Sequence, residues 1–314
     1  RPISSGVSPD FLNHALKEGE IKKYVFNSAT GTANQSNIST VTINNILIPV
    51  PPIEEQLKIN DLLSDSNQKL DSIDKEQSDI QFLANQLKQK VLDVAMQGKL
   101  VPQDPNDEPA SVLLEKIRAE KQRLFEEGKI KKKDLVETEI VKGDDNAYYE
   151  KLPVGWVKTS LGNIVYLLSG RDLATADYSD SLTTGIPYIT GASNFNNGII
   201  QTSRFTEVPQ VISEKDDLLI TVKGTVGELA FNPFNEAHIA RQIMAARPYQ
   251  LDKEFLMVYL ESRIDNMKSQ AQSMIPGISR DVLLKMPVDL PPKNEQHRIT
   301  SQIRKTLQEF DTIC

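Results

Sequence analysis

Apolar and polar positions alternate with different periods along this chain, and each change of period marks an element. Between residues 54 and 98 neither proline nor glycine occurs, and apolar residues fall at coiled-coil spacing. Ile59, Ile73, Ile80, Leu87 and Val94 share one heptad position; Leu63, Leu70, Ala84 and Val91 share the other, with Ser66 and Gln77 as polar interruptions. That pattern predicts one long helix suited to pairing with another. A helix of about 45 residues spans roughly 65–70 Å at about 1.5 Å per residue, the length of a spacer rather than of a core helix.

Beyond it, residues 98–150 turn polar and charged. Pro102, Asp104, Pro105, Asn106 and Asp107 predict turns, residues 109–127 an amphipathic helix, and Lys131-Lys132-Lys133 a solvated run with weak phosphate contact as its alternative. Short β-rich runs follow at residues 186–190, 218–222 and 227–231, separated by turns such as Ser193-Asn194-Phe195-Asn196-Asn197-Gly198, and a helix is expected over 253–270.

The chain contains an internal repeat. Residues 37–73 align without a gap onto 277–313, matching Ile38-Ser39 with Ile278-Ser279, Pro51-Pro52 with Pro291-Pro292, and Glu55-Gln56 with Glu295-Gln296. Upstream, Arg1-Pro2 corresponds to Arg247-Pro248 and Phe11-Leu12 to Phe255-Leu256, with a few residues inserted in the first copy. Each unit is expected to end in an apolar strand (46–50; 286–290), a Pro-Pro break and a helix opened by acidic residues, since Pro-Pro ends a ladder and carboxylates suit a helix N-terminus. The second copy repeats the heptad seam with Ile299, Ile303, Phe310 and Ile313, so the two helices are expected to pair.

The resulting organisation is a remnant of a first globular domain over 1–52, a long helix over 53–100, a connector over 101–150, a second globular domain over 151–292, and the start of a second long helix over 293–314. The fold class is α/β in the broad sense (α+β): mixed helices and short strands joined to coiled-coil helices. The absence of an initial methionine suggests a fragment or a trimmed chain.

With 314 residues, 39% hydrophobic and 25% charged, the composition is that of a globular protein. No run of eighteen apolar residues and no export pattern occurs, which predicts a cytoplasmic, non-membrane protein. One cysteine, Cys314, and three scattered histidines, His14, His238 and His297, argue against a disulfide framework and metal chemistry. The net charge of −7 argues against a protein that simply coats nucleic acid, so any DNA contact needs clustered basic residues or charge from partners.

No phosphate-loop, dinucleotide-binding, nucleophile-elbow or zinc-protease motif is present, which disfavours an intrinsic enzyme; no cofactor is expected. Asn232-Pro233-Phe234 reads as a plain turn. Residues 218–227 read as a buried strand running into a loop that offers Lys223, Thr225 and backbone amides beside Gly224 and Gly227; such a loop can approach a phosphate or base edge, or simply close a hairpin. Arg241-Gln242 are suited to bidentate contacts with guanine and adenine, with surface salt bridging as the alternative. Gly277 follows a loop that either faces DNA or punctuates the chain. His238 and His297 read as structural or surface residues.

Taken together, these residues resemble the specificity subunit of type I restriction-modification enzymes. The carriers are Leu152-Pro153-Val154-Gly155-Trp156, residues 217–227, residues 241–248, Gly277-Ile278-Ser279, the twice-occurring Pro-Pro-x-x-Glu-Gln, and residues 89–100, similar to the family's central region. The resemblance implies a non-catalytic reader of double-stranded DNA whose target-recognition domains each read half of a bipartite site, with the helices as an antiparallel spacer. It also implies two methyltransferase subunits that bring S-adenosylmethionine and flip out the target adenine, with restriction and translocase subunits added. Arg171, Asn194, Lys223, Thr225, Arg241, Gln242 and Gly277 are the expected DNA contacts. Two alternatives stand beside this reading: a coiled-coil scaffold without DNA recognition, and a methyltransferase or restriction fusion.

Overall fold

The computed structural model describes residues 6–32, 35–139, 151–180, 184–196, 198–270 and 277–311. Two compact units are formed, Arg1–Leu83 and Ala84–Cys314.

In the first unit, α1 (Pro9–Leu16) starts at an N-cap serine, Ser8, and is followed by α2 (Gly19–Asn27). A hairpin of β1 (Thr30–Thr32) and β2 (Gln35–Asn37) leads to α3 (Thr40–Asn44), whose cap is Ser39. The long helix α4 (Ile53–Met96) then begins just after Pro51-Pro52. Its first turn is tied down by the wholly buried Gln56. The Oε1 of Gln56 accepts the Ser8 N–H at 2.8 Å, and its Nε2 donates to the carbonyls of Pro51 (2.7 Å) and Gly6 (2.9 Å).

Residues 46–50, expected as a strand, form none, with Leu47 and Val50 exposed. A strand needs a neighbour to take its backbone groups, and none pairs with this run among the described residues. Along α4 the heptad residues Ile59, Leu70, Ile73, Ile80 and Leu87 are exposed.

The second unit holds the end of α4, where Leu92 and Ala95 are buried, together with α5 (Ala110–Glu126) and the short α6 (Lys132–Leu135). There follow β3 (Val157–Ser160), α7 (Leu161–Ile164), β4 (Val165–Ser169), β5 (Ile186–Ile189), β6 (Phe195–Asn196), β7 (Ile199–Ile200), β8 (Phe205–Thr206) and β9 (Ile212–Glu214). The chain continues through β10 (Leu218–Thr221), β11 (Leu229–Phe231), β12 (Glu236–Ile239), β13 (Ile243–Pro248), α8 (Lys253–Ser262), α9 (Ile264–Gln270), α10 (Arg280–Leu284), β14 (Pro287–Leu290) and α11 (Lys293–Asp311).

Two four-stranded sheets carry the unit, ordered β11-β10-β13-β4 and β8-β5-β12-β9. The first is antiparallel throughout; in the second, β12 runs parallel to β5. Strand β10 is apolar at consecutive positions because both its faces are covered: Leu218 and Ile220 enter one core and Leu219 the other. Met244 and Ala246 of β13 likewise face the first core, Ile243 and Ala245 the second.

β14 pairs with β3, and this partner makes it a strand where its counterpart 46–50 is not. The helix expected over 253–270 is broken by a turn at Arg263, which lets Met267 of α9 return to the core.

The repeated Glu-Gln pair has two jobs here. Gln296 is buried, donates to the Pro291 carbonyl at 2.9 Å and accepts the N–H of Asp252, the N-cap of α8, at 3.1 Å. Glu295, 1% exposed, accepts the Trp156 indole N–H at 3.0 Å, and burial pushes its carboxyl above the usual range. The Leu-Pro-Val-Gly-Trp opening and the Pro-Pro-x-x-Glu-Gln close of this unit are therefore one structural joint.

Candidate nucleic-acid interface

One end of the two sheets gathers most of the residues singled out by the sequence. There β4, β5, β10 and β12 finish and β13 starts, and main-chain hydrogen bonds knit the emerging segments into a rim. The Gly170 N–H donates to Ile243 (3.0 Å), Arg171 to Ile239 (2.9 Å), Ala240 to Ile189 (2.9 Å), Val222 to Gln242 (2.8 Å) and Ile278 to Val222 (2.8 Å). Gly170 is required by this weave: a Cβ there would lie 2.1 Å from the Ala240 carbonyl oxygen.

On that rim Arg171 is exposed, separated from the end of β4 by Gly170 alone. Arg241, beyond the end of β12, is also exposed and is held by Asp172: Nε lies 2.8 Å from one carboxylate oxygen, and its backbone N–H donates to the other at 3.1 Å. The pair fixes the direction of the guanidinium at its Nε edge. The surface salt bridge set out as the alternative for Arg241 is therefore formed.

Lys223 and Thr225 are exposed in the loop that closes the β10–β11 hairpin. Gly224 and Gly227 adopt φ of 74° and 93°, so the glycines serve the turn and expose its tip together. Lys223 also forms an antiparallel bridge with Gly277, which brings those two expected residues side by side. The segment just before Gly277, residues 271–276, lies outside the described residues.

Two expected contacts differ from the exposed residues of the rim. Asn194 braces its own loop: Oδ1 accepts the N–H groups of Thr190 (2.8 Å) and Gly191 (3.3 Å), and Nδ2 donates to the Gln201 carbonyl at 2.8 Å. Gln242 is half-buried, and its Oε1 is buried with no hydrogen-bond partner among the described residues.

His238 sits beneath the rim, fully buried. Its Nδ1 accepts the Val211 N–H at 3.2 Å, which leaves the Nε2 proton to the Arg171 carbonyl at 2.8 Å. Burial holds the imidazole below its ordinary pKa, opposed by these hydrogen bonds. It is a structural group, as its isolation in the sequence predicts.

Arg247 belongs to the frame rather than the rim. It is bidentate to Asp217, at 2.7 and 2.9 Å, and also meets Glu214 at 2.8 Å. Asn232 is buried, and its Oδ1 accepts the Phe234 N–H at 3.0 Å, which makes Asn232-Pro233-Phe234 the turn expected. Asp172 and Gly170 escaped sequence reasoning: no local pattern signals a carboxylate that orients an arginine 69 residues away.

Comparison with known proteins places this geometry among relatives. Residues 153–313 match the family described as type I restriction modification DNA specificity domain. The chain is 26% identical to the type I restriction enzyme EcoAI specificity subunit of Escherichia coli, over 100% of this chain and 62% of that protein. It is 30% identical to the EcoEI specificity subunit of Escherichia coli, over 72% of this chain and 40% of that protein. A solved structure described as underlying complex assembly and conformational transition of the type I R-M system superposes with a TM-score of 0.61 at 21% identity, over 98% of this chain and 65% of that one. At that identity the likeness shows the fold. The chain thus spans about three-fifths of the length of the first of these relatives.

Proposed function

This chain belongs to the family of type I restriction-modification DNA specificity domains, and from that premise we propose that it is a non-catalytic DNA reader within a methylating and cleaving complex. The observation that carries the reading is the rim. Arg171, Lys223, Thr225 and Arg241 are exposed together on a backbone fixed by main-chain bonds, with Gly277 alongside. Arginine and lysine side chains of this kind read guanine edges or hold phosphates, while a rigid backbone keeps their spacing constant.

The second unit reads one half of a split site on double-stranded DNA, and α4 serves with α11 as the spacer that sets the distance to the other half. Two methyltransferase subunits bind around these helices and supply S-adenosylmethionine and the adenine-methylating centre; restriction and translocase subunits join them. The target base leaves the stack for the partner's pocket, so this chain needs no catalytic group.

The test is DNA binding and adenine methylation by the protein with and without its co-encoded methyltransferase subunit, on duplexes of randomised sequence. Methylation of a split motif only with both proteins present is expected. Methylation by this chain alone overturns the reading, and no sequence preference in either condition returns it to a scaffold.

A further inference from the structure

The lysine run of the connector lies beside a cleft that leads to the rim. Lys131 and Lys133, with Asp134, line a cleft of about 400 Å³ whose opposite walls are residues 166–169 of the edge strand β4, residues 210–212, and Arg280. Arg280 is committed to that wall: it donates to the Leu167 carbonyl and meets Asp134 at 3.3 Å, which neutralises the acid. Lys131, Lys132 and Lys133 are exposed and form no ion pair among the described residues. Lys132 does not line the cleft.

The cleft is continuous with the reading rim in two ways. Ser169 at its edge is followed by Gly170 and Arg171, and Val211 in its wall is joined to Arg171 through the His238 ring. In a chain of net charge −7, two ammonium groups without an ion pair among the described residues line a cleft whose wall runs on into Gly170 and Arg171.

We propose that Lys131 and Lys133 hold the DNA sugar-phosphate backbone that flanks the half-site read by the rim, so that the connector supplies sequence-independent affinity while the sheet ends supply readout. The inference rests on the DNA-reading function above. Ammonium groups on flexible stems meet phosphates as point charges and release counterions, which adds affinity and register without base preference.

The experiment is a salt titration of duplex binding by the complex of this protein with its methyltransferase subunit. Lys131→Gln with Lys133→Gln, which keeps the aliphatic stems partly intact, is compared with Lys132→Gln. The double variant is expected to weaken binding to matched and mismatched duplexes alike, and to lower the slope of log affinity against log salt by about two, roughly one for each phosphate no longer neutralised. Lys132→Gln is expected to leave the slope unchanged. An unchanged slope in the double variant, or an equal loss in Lys132→Gln, overturns the proposal. A wild-type complex that binds no duplex overturns the reading on which it rests instead.

Discussion

The side-chain carbonyl of Gln296 accepts the backbone N–H of Asp252 at 3.1 Å, clamping the start of α11 to the start of α8. Gln56 makes the equivalent bond to Ser8 at 2.8 Å in the first unit. The repeated motif is thus a repeated hydrogen-bond lock. Removing either amide strands a backbone N–H and a carbonyl, and an unmet buried polar group costs about 1–3 kcal/mol. Gln296→Ala is expected to lower unfolding stability by about 3 kcal/mol, read by denaturant titration; a loss under about 0.5 kcal/mol, typical of a surface change, contradicts the lock.

Acid should weaken the packing around His238. Burial holds the His238 imidazole below its ordinary value of 6.5, so the unfolded chain takes the proton more readily than the fold. The stability this neutral ring contributes is complete above about pH 6.5 and declines as pH falls from there toward the lowered value. NMR titration of the imidazole is expected to give a pKa below 6.5; a value at or above it refutes the buried, neutral assignment.

Gly170→Ala should damage the rim through the backbone alone. The new methyl group meets the Ala240 carbonyl at 2.1 Å, and overpacking of this kind costs about 1–3 kcal/mol. Duplex affinity is expected to fall with it, since Arg171 and Arg241 sit on the segments that would be displaced. Unaltered melting temperature and affinity would show that the two segments separate freely.

Asp172 and Arg241 offer a test of orientation. Arg241→Ala is expected to relax base preference at one position of the half-site by about 1–3 kcal/mol, while leaving stability nearly unchanged. Asp172→Ala keeps the charge of Arg241 but frees its direction, and should lower discrimination with a smaller loss of total affinity. Selection from a randomised duplex pool by each variant separates the two effects; identical selected motifs for wild type and Arg241→Ala would remove Arg241 from the readout.

Much of the helical frame was legible because its signals are local. α4 and α5 follow from period and from the absence of glycine and proline, and β10 from its β-rich run of Leu, Leu, Ile and Thr. The turn at Arg263 and the lack of a ladder at 46–50 were not, because both depend on what lies opposite in space. The same division holds at the rim. Lys223, Arg241 and Gly277 are brought to one end of the sheets, whereas the commitment of Asn194 to Thr190, Gly191 and Gln201 is set by how its loop folds back. An amide in a turn-rich stretch looks alike whether it faces solvent or braces its own backbone.

The weave beneath the rim joins peptide groups to peptide groups and asks almost nothing of the side chains it carries outward. Exchanges at exposed positions away from packed or capped features usually change stability by no more than about 0.5 kcal/mol. Arg171, Lys223, Thr225 and Arg241 are therefore free to drift by single mutations while the scaffold stays intact. The platform sets where these side chains stand without setting which ones they are.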